Sequence, residues 1–332
     1  MTQKTYAEKV AETVIEKLKN GTAPWIKPWQ PGEQPEPPKN ALTGNEYRGI
    51  NNVLLSVMQP DLDPRYCTYK QAESLGGTVQ KGATGLAVQF WKFDQKALVR
   101  DENKKPVLDA KGDKQYKKLP PKPFYATVFH ASQIDGLQKY IAPEVPALND
   151  IQRHARAETL LDASKATILN DQADRAFYNA RSDEIHLPEM GQFHSQDAYY
   201  ATAFHELGHW TGHESRLDRP FAALDFDKEG YAKEELRAEL ASYMLGEKLG
   251  IGHDPDQHTA YIGSWIKALE EDPNEIIHAA RDAQKACDYV LNIERELVKE
   301  TDLTLTQEEQ ESIIKEVKTK PGAQRSEAEL ER

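Results

Sequence analysis

Residues Ala203-Phe204-His205-Glu206-Leu207-Gly208-His209-Trp210 have the spacing best suited to chemistry. Histidines four apart project from one face of a helix, so both imidazoles can reach a single metal ion. The glutamate beside the first histidine then faces a metal-bound water. It can take a proton from that water and pass it to a leaving amine. Zinc suits such a site, because it favours imidazole and oxygen ligands and keeps one position open. Manganese or another divalent ion also fits two histidines and a carboxylate. The bland alternative is a pair of packed or exposed histidines. Ala201, Ala203, Phe204, Leu207 and Trp210 argue for a buried helix, and buried ionisable groups need the partners a metal supplies.

A third ligand must come from elsewhere. Gly212 stands three residues after His209, as the metzincin pattern requires, but Ser215 occupies the position of that pattern's last histidine. His213 lies a full turn beyond His209 and is assigned to a hydrogen bond at the helix end. Residues 232–245 read as an amphipathic helix with Leu236, Leu240, Tyr243 and Met244 as its apolar stripe. Glu235 and Glu239 lie one turn apart on it. Glu235 is expected as the metal ligand, and Glu239 as the residue that holds a ligand histidine through its second ring nitrogen. The competing reading is a solvated acidic face. His258 and Tyr261 open the next helix and are candidates for a donor that stabilises an oxyanion. The strand 184–187 is expected to offer an edge to an extended peptide substrate.

Other elements must position these groups. Val10, Val14, Ile15 and Leu18 predict a helix over 5–19, ended by Asn20-Gly21. Short helices are expected at 51–58 and 69–75, and strands at 86–91 and 124–129 in a small antiparallel sheet. Residues 94–123 are lysine-rich, with turn signals, and read as a hairpin or mobile loop. A helix over 150–165, strands at 176–178 and 184–187, the metal-binding helix at 196–211, and helices near 232–249, 256–271 and 273–299 follow. Pro143 and Pro146 mark a boundary at 140–149.

At 332 residues, two domains are the natural expectation. The net charge of −12 is unevenly spread: residues 1–140 carry 21 Lys and Arg against 15 Asp and Glu, and the remainder 21 against 39. A polyanion would be met by the N-terminal half. Single-strand binding needs aromatic platforms for bases and cations for phosphates. Trp25, Trp29, Tyr47, Tyr66, Tyr69 and Trp91 are the candidate platforms, and Lys27, Arg48, Lys70 and Lys81 the candidate phosphate contacts. Each aromatic taken alone is more ordinarily core. The two cysteines, Cys67 and Cys287, make no disulfide framework. No apolar leader or membrane-length run is seen, so a cytoplasmic protein without a membrane partner is expected.

At this level of detail the chain resembles the ArdC family of antirestriction proteins, carried by plasmids and phages and related at the N-terminus to TraC primases. The resemblance rests on Asp183-Glu184-Ile185-His186-Leu187-Pro188, Tyr199 through Glu206, Gly212-His213-Glu214-Ser215-Arg216-Leu217, Glu234-Glu235-Leu236 and Tyr261 through Ile266. Ala279-Ala280 and Ala283 through Ala286 join them, as do Ala23-Pro24-Trp25, Tyr47 through Asn51, Thr68 through Ala72 and Lys81-Gly82. It implies an α+β fold: a small α+β single-stranded-DNA-binding domain over 1–140 joined to a zincin-like metallopeptidase domain over 150–302. A charged tail over 303–332 would follow. It further implies a conjugation-linked protein that shields incoming DNA from host restriction. The alternative is a zinc metalloprotease acting on DNA-bound proteins. Primase activity finds no supporting cluster of spaced aspartates.

Overall fold

The computed structural model describes residues 4–19, 36–141, 150–219, 228–252 and 261–304. Helix α1, Tyr6–Leu18, begins at a capping box: the Thr5 hydroxyl accepts from the Glu8 amide, and the Glu8 carboxylate accepts from the Thr5 amide. Its buried stripe is Val10, Ala11, Val14, Ile15 and Leu18. Helix α2, Ile50–Met58, is buried almost throughout. Strands β1 (Lys39–Asn40), β2 (Arg65–Cys67), β4 (Leu86–Lys92) and β7 (Lys122–His130) form a sheet in the order β1-β2-β7-β4. The β2–β7 and β4–β7 pairs are antiparallel, but β1 runs parallel to β2, so the sheet is mixed. Between β2 and β4 lie α3 (Tyr69–Ser74), capped by a Thr68–Gln71 box, and β3 (Thr78–Val79). The lysine-rich stretch is a hairpin. Strands β5 (Lys96–Leu98) and β6 (Tyr116–Lys118) pair antiparallel, with further bridges at Arg100–Pro106 and Leu108–Lys114. Strand β8, Ile134–Asp135, pairs with β3.

Helix α4 (Asp150–Ser164) leads into strands β9 (Thr167–Gln172), β10 (Phe177–Asn179) and β11 (Glu184–Pro188). Their order is β10-β11-β9, with β11 antiparallel to β10 and parallel to β9. This corrects the expectation that 184–187 is an open edge: both of its sides are paired, and β10 and β9 are the edge strands. Strand β9 was not among the expected elements, since Thr167-Ile168-Leu169-Asn170-Asp171-Gln172 is largely exposed and lacks a clean alternation. Helix α5, Gln196–Trp210, is capped by Ser195, whose hydroxyl accepts from the Ala198 amide. Every residue of it from Ala198 to Trp210 is buried. Helix α6 spans Lys228–Leu249, α7 Ile262–Glu271 and α8 Glu275–Thr304.

Gly208 lets α5 and α6 approach closely. A Cβ there would lie 3.3 Å from the Ala238 Cα and 3.4 Å from its carbonyl oxygen. The main core crosses the sequence midpoint: Val10, Val14 and Leu18 of α1 and Ile50, Val53 and Leu54 of α2 belong to one cluster with residues of α4 to α8. Leu55, Tyr66, Val88 and Val128 form a small second core beneath the sheet. Polar ties follow the same route. Gly49 donates its amide to Gln284 at 2.9 Å, Asn52 donates to Glu247 at 3.3 Å, and Arg48 is paired with Asp288. The charged tail expected from 303 lies outside the described residues, apart from the end of α8, which reaches Thr304. No helix among the described residues is long and apolar enough to cross a membrane.

Candidate metal centre

Helices α5 and α6 face each other across a cluster of ionisable groups. His205 Nε2 lies 3.3 Å from Glu235 Oε2, and His209 Nε2 lies 3.4 Å from Glu235 Oε1. The donor atoms of these three buried residues lie within 4.8 Å of one another. The other ring nitrogens meet different carboxylates: His205 Nδ1 is 3.7 Å from Glu239 Oε2, and His209 Nδ1 is 3.3 Å from Glu234 Oε1. Each imidazole therefore has one nitrogen held from behind and the other turned on Glu235. Two imidazole nitrogens and a carboxylate oxygen converging in a buried site are a donor set that fits a divalent ion. His213, as expected, is engaged elsewhere, with its Nδ1 2.8 Å from the Ser215 hydroxyl.

Electrostatics follow from the burial of opposite charges. Burial opposes a charge on His205, but Glu235 and Glu239 outweigh it and hold the imidazole well above its ordinary value. His209 is balanced the same way, by Glu235 and Glu234, and is pushed up to about 9. Burial works against Glu235 and Glu234 as carboxylates, yet the histidines, and Arg219 for Glu234, hold both below the usual range. Glu206 goes the other way: burial raises it, while the two histidines and an amide hydrogen bond from Tyr178 on β10 pull it back.

Two members of the site, Arg219 and Tyr231, had no place in the sequence reading, and Glu234 entered it only through the family resemblance. Glu234 is held by Arg219, whose Nη2 donates to Glu234 Oε1 at 2.7 Å. The same guanidinium donates to the Gly208 carbonyl at 2.7 Å and the Thr211 hydroxyl at 2.8 Å. Tyr231 places its hydroxyl 3.4 Å from that of Tyr261. Both tyrosines line the same cleft as the histidines, a cavity of about 770 Å³ lined also by Phe177, Tyr178 and Phe193. A local signal for Tyr231 existed: it stands one turn before Glu235, as Glu235 stands one turn before Glu239. Arg219 carried none, because its role depends on a chain reversal after α5. His258 lies outside the described residues.

The expected DNA contacts separate. Trp25, Lys27 and Trp29 lie outside the described residues. Tyr66 is a correction: it is 1% exposed and its hydroxyl donates to the Leu55 carbonyl at 2.9 Å, so it is core and offers no face to a base. Tyr47 is half-buried, packs edge-on against Tyr66, and accepts from the Asn40 amide at 3.3 Å. Arg48 is spoken for by Asp288. Tyr69, Lys70, Lys81 and Trp91 are exposed.

Known proteins match both halves. A family model for the N-terminal domain of anti-restriction factor ArdC matches residues 4–129, and one for a zincin-like metallopeptidase matches residues 155–282. The chain is 54% identical over 303 residues to a DNA primase TraC of Escherichia coli, covering 90% of this chain and 28% of that protein. A second TraC of the same species is 53% identical, with 20% of its length covered. The chain thus spans less than a third of those primases. Protein y4eC of Sinorhizobium fredii (strain NBRC 101917 / NGR234) is 33% identical over 294 residues, 85% of this chain and 90% of that one. The metal-free crystal structure of the antirestriction protein ArdC from plasmid R388 superposes with a TM-score of 0.67 at 35% identity, over 87% of this chain and 98% of that chain. Its Mn(II)-bound structure gives 0.66 at 34% identity over the same shares.

Proposed function

This chain belongs to the ArdC family of antirestriction proteins, and from that premise we propose that it binds single-stranded DNA through its basic N-terminal half and carries a metal-dependent peptidase site between α5 and α6. The convergence of His205, His209 and Glu235 with Glu206 beside them is the observation that carries the reading. Zinc is the proposed native metal. The R388 relative has been crystallised with Mn(II), and the same donor set accepts either.

His205, His209 and Glu235 would hold the ion, which when bound polarises a peptide carbonyl and acidifies a water. Glu206 would take the proton from the attacking water and deliver it to the leaving amine. Burial raises its affinity for protons, which favours its taking one from that water. The Tyr178 amide fixes the direction of the Glu206 carboxylate. Tyr231 and Tyr261 bring hydroxyl donors to the cleft, where an oxyanion would develop. Glu239 and Glu234 would orient the two ligand histidines. Strand β10, an edge beside the cleft, is the surface an extended peptide would pair with.

Shielding of transferred DNA needs only binding, so proteolysis and protection are separable. Glu206→Gln keeps the shape of the site and every proposed ligand but cannot accept a proton. It should retain metal, fold and DNA binding and lose peptidase activity. We expect protection from restriction to survive in this variant. Loss of protection at unchanged DNA affinity would instead make the protein a metalloprotease acting on DNA-bound proteins, with antirestriction as its consequence.

A further inference from the structure

The positive charge of the N-terminal half is concentrated on one structural unit. Residues 86–130 carry ten Lys and Arg against five Asp and Glu, so five of the six net positive charges of residues 1–140 lie there. All ten cations are exposed. None of them is ion-paired with a described residue, whereas Lys39, Arg48 and Arg65 of the same half are held by Glu36, Asp288 and Asp63.

The unit is the β4–β7 ribbon and the hairpin it carries. The face of the ribbon that starts in the core at Leu86, Val88, Ala126 and Val128 runs outward to Phe90 opposite Phe124, then Lys92 opposite Lys122. Phe90 is 42% exposed and stacks on Phe124 at 5.7 Å. The ammonium groups of Lys92 and Lys122 lie 4.6 Å and 5.6 Å from the Phe124 ring centre. On the opposite face Trp91 is 49% exposed, and Phe93, just beyond the strand, is 59% exposed. The Phe90–Phe124 pair helps to hold the strands together. That does not account for Trp91 and Phe93, whose rings are left in water. Exposed rings interleaved with unpaired cations are what a single strand needs: π-faces for its bases and charges for its phosphates.

We propose that the outer part of the β4–β7 ribbon, centred on Phe90, Trp91, Lys92 and Lys122, is the surface on which single-stranded DNA stacks its bases. The alternative surface is α3, with Tyr69 and Lys70. The proposal rests on the reading that this half binds single-stranded DNA, and it locates the site. A duplex hides the faces of its bases and would engage only the cations.

The test uses the full chain and a fluorescent oligothymidylate, with binding followed by anisotropy over a range of salt. Phe90→Ala and Trp91→Ala should each weaken binding roughly tenfold. Lys92→Gln with Lys122→Gln should reduce the slope of log affinity against log salt by about 1.4, the share of two phosphate contacts. Tyr69→Ala with Lys70→Gln should weaken binding less than either ring variant. A duplex of the same length should compete poorly. The lysine variants change only exposed side chains, so the slope remains readable if a ring variant unfolds. Unchanged affinity and slope in the ribbon variants, or loss confined to the Tyr69 and Lys70 variant, would overturn the location while leaving DNA binding standing. Failure of the unaltered chain to bind the oligonucleotide would remove both.

Discussion

Arg219→Met removes a guanidinium that makes three kinds of contact at once. Among the described residues it holds the Glu234 carboxylate, the Gly208 carbonyl and the Thr211 hydroxyl. Glu234 is 5% exposed, so water cannot replace the lost cation. Breaking a buried ion pair costs about 3–5 kcal/mol, and because His209 still faces Glu234 the lower end is expected, a large share of the roughly 5–15 kcal/mol that holds a domain folded. A second effect travels through His209. Glu234 faces its Nδ1, and without Arg219 that carboxylate loses the cation that holds it in place, so metal affinity should fall toward the roughly 10–100-fold loss typical of removing such a partner. Urea unfolding reads the first effect, and competition against a chromophoric chelator reads the second. Adding Glu234→Gln to Arg219→Met removes the buried charge, so most of the stability should return. The metal affinity should stay low, because the amide that replaces Glu234 puts no negative charge behind His209. Unaltered stability and affinity in Arg219→Met would refute the reasoning. Recovery of both properties in the double variant would refute the orienting role alone.

Gly208→Leu should separate α5 from α6, since the backbone of Ala238 already stands where a side chain would go; metal binding should be lost along with several degrees of thermal midpoint. Burial pushes the Glu247 carboxyl up to about 7 from its ordinary 4.5. Its contribution to stability is therefore present below about pH 4.5 and lost as the pH rises through 7, a change of about 3 kcal/mol. Glu247→Gln should melt like the unaltered chain near pH 5 and above it at pH 8; equal melting at both pH values would count against a buried carboxylate there. A fragment of residues 1–140 would expose the stripes of α1 and α2 that pack on the helical body. Light scattering should find it associated, where the full chain is not; a monodisperse fragment with a cooperative melt would show that those helices do not need the second half.

The metal helix was legible because its chemistry is local. His205 and His209 share a face by helical period alone, and apolar neighbours on every side signalled burial. The pairing of α5 with α6 was partly legible, through the one-turn spacing of Glu235 and Glu239. Glu234 and Glu235 are neighbours in sequence but meet His209 at different ring nitrogens, and only Glu235 reaches His205 as well, which only the placement of α6 against α5 reveals. Strand β9 carries no alternation signal, because its two apolar residues, Ile168 and Leu169, are adjacent and the rest is polar and mostly exposed. The aromatics of the N-terminal half show the limit of residue type. Tyr66 and Trp91 look equally fit to stack a base, yet one fills the core under the sheet and the other stands in solvent. The break in composition at 140 marks two sequence families, whereas the apolar core runs across it.

Metal binding by the purified full chain tests the central claim most directly. One divalent ion per chain should bind, and His205→Ala, His209→Ala and Glu235→Ala should each abolish it while Glu206→Gln retains it. A chain that binds no ion, or one that keeps its ion in Glu235→Ala and loses it in Glu234→Ala as a direct ligand would, contradicts the account.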